Sequence, residues 1–225
     1  EVAVKGANIL QETLTNFFPE VCVHPLFNRN YENILEGVHD AVKNLRNKDV
    51  FAVYYAGHGS VPVGDCEMHT VVQSNEGRTL ILYLELLRAM NSKGLELCNL
   101  ISLFDCCQTG DAELEEEQRE DIQDQSVIFQ QRHNLSSIIS ACPVGETIED
   151  SLVVARVLEY CLQRRVTNLH GLSRAFQLLV RQVSFGWKMN VMVPSQLPNL
   201  PISSSATEEP AYPLTQAQEQ SGMLS

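Results

Sequence analysis

A histidine between two glycines, Gly57-His58-Gly59, and a cysteine pair, Cys106-Cys107, punctuate a chain of 225 residues. A thiol becomes a nucleophile near neutral pH when a base or an imidazolium stands beside it. Glycines around the imidazole let a substrate backbone come close, and their N–H groups can face a developing oxyanion. Brought together, such residues would support acyl transfer. Each group follows an apolar run: Val50 to Tyr55 before the histidine, Leu97 to Phe104 before the cysteines. A third run, Ser136 to Ala141, leads into Cys142-Pro143-Val144-Gly145-Glu146. Runs of this length read as strands buried on both faces, as in a parallel sheet covered by helices. The C-terminal ends of parallel strands share one edge, where the sites of α/β proteins gather. His58 and Cys107 are therefore expected to be neighbours in space.

The rest of the chain supplies the layers that such a sheet needs. Ala7 to Phe18 places Ile9, Leu10, Leu14, Phe17 and Phe18 at helical spacing, and Tyr31 to Leu45 repeats the pattern behind a capping Asn30. Further helices are expected over Leu80–Met90, Ile148–Leu162 and Leu169–Val183. Short strands are expected at Val21–Val23, Met68–Val72 and Val191–Val193. Alternating strands and helices predict an α/β sandwich with a mostly parallel central sheet flanked by helices. Five of the nine prolines fall from Pro194 onward among Ser, Gln and Glu, so residues 194–225 read as a disordered tail.

Sixteen basic residues against 28 acidic ones give a net charge of -12. That balance argues against binding the phosphate backbone of nucleic acid or an anionic membrane surface. Asp111 to Gln125 alone holds eight acidic residues and one arginine, so more than half of the net charge is local. No run approaches the roughly 20 apolar residues of a spanning helix. Seven cysteines, an odd number lying mostly in apolar runs, suit free thiols in a reducing, cytoplasmic setting. The chain opens on Glu1 with no signal-peptide pattern, as expected of a fragment or processed product.

The segments VYYAGHGS and LFDCCQTGD resemble the histidine and cysteine motifs of the caspase-like cysteine peptidases, a group of caspases, metacaspases and paracaspases. A histidine about 50 residues before the cysteine is the caspase order and spacing. The resemblance extends from about Ala7 to Val193. It implies His58 as general base, Cys107 as nucleophile, and the backbone N–H groups of Gly59 and Cys107 as the oxyanion hole. Members with Asp-small-Cys-x-x-Gly use the cysteine two after the aspartate, which selects Cys107 over Cys106. Asp105 stands where caspases carry glutamine, as in metacaspases and paracaspases, and Glu146 matches an acidic pocket residue of the paracaspases. Carboxylates there favour cleavage after arginine or lysine through charge-assisted contacts. The resemblance divides the chain into a peptidase domain, 1–193, and the tail. Within the domain, about 1–110 is large-subunit-like, 111–134 an acidic linker and 135–193 small-subunit-like. The family's first strand is expected to be lacking. The Asp-rich calcium loop of many metacaspases is replaced by a segment whose acids are Asp65 and Glu67. No cofactor is expected, and the acidic run, where calcium could bind, lacks the ligand spacing of a calcium loop. Protein or peptide substrates are implied, with a homodimer or a signalling partner as further company. The rival expectation is a catalytically silent caspase-homology module that binds partners in signalling or cell death.

Overall fold

Asn99-Leu-Ile-Ser-Leu-Phe-Asp-Cys106 forms a strand in which all eight residues are buried. It is the centre around which the computed structural model is organised. The structure describes residues 2–18, 20–133, 135–142, 144–147, 153–163 and 190–192. In chain order these form α1 (Val2–Phe17), α2 (Tyr31–Lys43), β1 (Val50–Gly57), β2 (Gly59–Ser60), β3 (Val71–Gln73), β4 (Thr79–Ile81), α3 (Leu82–Lys93), β5 (Asn99–Cys106), α4 (Glu116–Arg132), β6 (Leu135–Ser140), α5 (Val153–Gln163) and β7 (Asn190–Met192). The main sheet runs β1-β5-β6-β7. β1, β5 and β6 are parallel, and β7 is antiparallel to β6. The mixed α/β architecture is the one expected from the sequence.

Successive residues of a strand face opposite sides of its sheet. Leu100, Phe104 and Cys106 join a core with Val38 and Val42 of α2, Leu86, Leu87 and Met90 of α3, and Phe129 of α4. Asp105, of opposite parity, bonds to α5. Helices α2, α3 and α4 therefore cover one face, and α5, packed against α1, covers the other. Local chemistry sets the helix ends. Asn30 Oδ1 accepts the N–H of Asn33 at 2.9 Å to start α2. Gly94, at φ 68°, takes the left-handed turn that ends α3. Lys93 Nζ then reaches three carbonyls at the end of α2: Val42 (2.8 Å), Lys43 (2.5 Å) and Leu45 (2.6 Å).

The acidic stretch contains α4, opened by a capping box between Glu115 and Gln118. Only Ile122 and Phe129 of this helix are buried. Arg88–Asp121 and Asn91–Gln125 contacts tie it to α3, so its charges face outward while two apolar anchors hold it down.

Several expected elements shift. Val21–Val23 is irregular, with Val21 exposed: three apolar residues make a strand only beside a sheet edge that can pair with them. Met68–Val72 divides into a 3₁₀ turn at Glu67–His69 and β3, which pairs with β2 and β4 in a small antiparallel sheet. No strand precedes α1 among the described residues. The helix expected over Leu169–Val183 and the tail from Pro194 lie outside the described residues.

Candidate active site

The parallel register of β1 and β5 ends on the pair Gly57–Cys106. His58 and Cys107 are each the next residue beyond it, so one sheet edge brings the two motifs together. His58 is exposed and Cys107 is half-buried. Cys106 is fully buried on the α3 side, and that burial pushes its thiol well above the ordinary range. Strand alternation thus separates two adjacent cysteines into one inside the core and one at the edge.

Gly59 is the contact between the motifs. A Cβ built there would lie 2.5 Å from Cys106 Sγ and 3.1 Å from the Cys107 carbonyl oxygen. The Gln73 N–H donates to the His58 carbonyl at 3.2 Å. Residues alternate between bonded and non-bonded pairs in an antiparallel ladder, so Gly59, opposite Val72, turns its N–H away from β3.

Tyr55, whose hydroxyl sequence reasoning missed, fixes the turn that carries His58. It donates to the His58 carbonyl at 2.7 Å and accepts the Gln73 N–H at 3.2 Å. Burial raises its phenol far above the ordinary value, so it stays a donor. A tyrosine inside an apolar run gives no outward sign of this bond. Across the edge, the Ser60 and Thr109 hydroxyls, 3.1 Å apart, both donate to the Asp111 carboxylate. These hydrogen bonds, that of Ser60 foremost, hold Asp111 below its usual carboxylate range.

The loop after β6 closes onto the same edge. Gln108 donates its N–H to the Glu146 carbonyl at 3.0 Å, and Gly145 returns an N–H to Gln108 at 2.6 Å. The Gln108 side chain is buried and accepts from Thr70 at 3.2 Å. The side chain of Glu146 is exposed beside this junction. Asp105 differs: it is wholly buried under the edge. Its Oδ2 accepts from the Tyr54 hydroxyl at 3.0 Å and from the Val154 N–H, in the first turn of α5, at 3.1 Å. Asp105 therefore ties α5 to the sheet, at a helix start where negative charge is favoured.

An open cleft of about 600 Å³ runs beside the edge, walled by Pro62, Val63, Asp111, Glu113 and Arg119. It includes neither His58 nor Cys107. Arg119 is engaged with Asp65 at 2.8 Å. Among the described residues, no three His, Cys, Asp or Glu side chains converge to hold a metal ion. Among the same residues, no helix is long and apolar enough to cross a membrane.

A family model described as "Caspase domain" matches residues 3–212. No curated protein matches the chain. Among solved structures, the crystal structure of protein GSU0716 from Geobacter sulfurreducens is similar at 17% identity, covering 75% of each chain with a TM-score of 0.49.

Proposed function

The chain belongs to the caspase-domain family, and from that premise we propose that it is a cysteine endopeptidase cleaving after arginine or lysine. The observation that supports this reading is the register Gly57–Cys106, after which the exposed His58 and the more accessible of two adjacent cysteines follow at neighbouring strand ends.

In the proposed reaction His58 takes the Cys107 thiol proton as the sulfur attacks the carbonyl carbon of the substrate. The N–H groups of Gly59 and Cys107 receive the developing oxyanion. His58 then gives its proton to the leaving amine. Water, activated by the same imidazole, hydrolyses the acyl-enzyme. Glu146 is the carboxylate that an arginine or lysine side chain meets first. Asp105 adds negative charge from below, on the pattern of the metacaspase and paracaspase branch. The acidic cleft wall at Asp111 suits a basic peptide.

The test is turnover of fluorogenic peptides ending in arginine, lysine or aspartate. Cleavage after the basic residues is expected, with loss of turnover in Cys107→Ala and its retention in Cys106→Ala. Glu146→Gln is expected to raise KM for arginyl peptides about tenfold, the worth of one charge-assisted contact. No turnover of any peptide by the parent chain would overturn the peptidase reading in favour of a partner-binding module. Cleavage only after aspartate would overturn the roles of Asp105 and Glu146.

A further inference from the structure

We propose that Cys142 is a resolving thiol for Cys107: after a peroxide oxidises Cys107, the two sulfurs join in a reversible disulfide that silences the site and protects it. The proposal rests on Cys107 being the reactive thiol of the reading above, and it adds a means of regulation to that site.

The geometry is that of a thiol laid against the nucleophile's backbone. Cys142 Sγ lies 3.5 Å from the Cys106 carbonyl oxygen, which belongs to the peptide entering Cys107. The backbone of Gln108, the residue leaving Cys107, also acts on this thiol and favours its thiolate against the effect of burial. Its other neighbour is the Glu146 carbonyl, again at 3.5 Å. Cys142 thus borders the peptide groups on both sides of Cys107. Continued two residues past Phe104–Ser140, the β5–β6 register sets Cys142 opposite Cys106, so that Cys107 is the next residue along the edge. With neighbouring strands about 4.8 Å apart and a rise of about 3.3 Å per residue, Cys107 stands diagonally across from Cys142, within the roughly 4.4–6.8 Å between Cα atoms that a disulfide needs.

The three thiols of this cluster differ in access. Cys106 is at 0% exposure and Cys142 at 3%, while Cys107 is half-buried. A peroxide in solution therefore meets Cys107 first. Burial pushes the Cys142 thiol up to about 12, which keeps it protonated and inert to solvent oxidants. Against a sulfur held beside it, the intramolecular advantage offsets that low thiolate fraction, and the closing step speeds up as pH rises.

The chemistry balances. Hydrogen peroxide oxidises the Cys107 thiolate to a sulfenic acid, and its other oxygen leaves as water after taking up a proton. The Cys142 sulfur attacks the Cys107 sulfur, the S–S bond forms, and the sulfenic oxygen leaves as a second water with the Cys142 proton. Two thiols are oxidised and one peroxide is reduced. A small dithiol reverses the bond by exchange.

The test treats the full chain with a few equivalents of hydrogen peroxide, alkylates the remaining thiols and maps the non-reduced peptides by mass spectrometry. A Cys107–Cys142 cross-link is expected in the parent and in Cys106→Ala. Cys142→Ser and Cys142→Ala are expected to keep basal turnover of arginyl peptides. After peroxide they should gather sulfinic and sulfonic acid at Cys107 and recover about fivefold less activity with dithiothreitol than the parent. Equal recovery in parent and variants, no cross-link, or a cross-link from Cys106 would overturn the proposal. The Cys107–Cys142 cross-link in a chain that turns over no peptide would support it while overturning the peptidase reading.

Discussion

Gly59 shows how little space the reacting edge leaves. The Cys106 sulfur, 2.5 Å from where a methyl group would stand, belongs to a side chain locked in the core. The Cys107 carbonyl, at 3.1 Å, is backbone and cannot swing aside. Gly59→Ala must therefore displace the proposed oxyanion donor relative to the proposed nucleophile. A misplacement near 1 Å at a reacting centre costs about 10²-fold in rate, so kcat for arginyl peptides is expected to fall by that order. KM should stay nearly constant, because the acidic pocket proposed at Glu146 lies on the opposite loop. Steady-state kinetics beside a thermal melt would check this, and unchanged kcat with a lowered melting temperature would make Gly59 a packing residue only.

At the scale of elements, the end of α2 depends on one side chain from α3. Lys93 offers its charge to three carbonyls at the helix end, of which that of Val42 also accepts the Leu45 N–H. Lys93→Met keeps the length of the stem and removes the donor. Allowing for the exposure of the group, the loss is expected to be about 1–2 kcal/mol, or roughly 2–8 °C in melting temperature. Thermal melts followed by circular dichroism would measure it, and an unchanged melt would show that water replaces the ammonium without loss. Contacts of this kind are not legible in a sequence, because Val42 and Lys93 lie far apart along it and no pattern links them. The strands that carry the site were legible, since a run of eight buried residues such as Asn99–Cys106 stands out against any surface segment. Strand parity also explains the Cys106-Cys107 pair. The Val21–Val23 triplet misled because apolar character is a local property and pairing is not. The acidic stretch declared its charge but hid α4, since Ile122 and Phe129 are too sparse for a visible apolar stripe.

Across the whole molecule, the buried His133 and the partly buried His69 make stability depend on pH. His133 is at 6% exposure, and burial, with Arg132 adding to it, holds its imidazole below the ordinary 6.5. Burial likewise lowers His69, and the Arg119 guanidinium beside it adds to the effect. Asp65, 3.5 Å from the His69 ring, pulls the other way and is outweighed, being already paired with Arg119. Both rings stay neutral in the folded chain at pH values where the unfolded chain takes up protons. Their contribution is therefore complete above about pH 6.5 and is lost as pH falls from there toward the lowered folded values, by up to about 1.4 kcal/mol per histidine per pH unit. Melting temperatures between pH 7.5 and pH 5.5 are expected to fall, and to fall less in a His69→Gln/His133→Gln double variant. Parallel slopes for parent and variant would assign the effect to other groups.

The parallel register has a kinetic meaning as well. Val50 finds its partner at Asn99, and Asn99 finds its own at Leu135, so each ladder joins segments separated by an intervening helix. The entropy of closing those long loops is lost before any pairing energy returns, which makes this a slow sheet to nucleate. His58 and Cys107 acquire their neighbours only when β1 and β5 have zipped to their last residues. A nascent or partly unfolded chain therefore holds the proposed nucleophile apart from its proposed base, and proximity arrives only with the finished sheet.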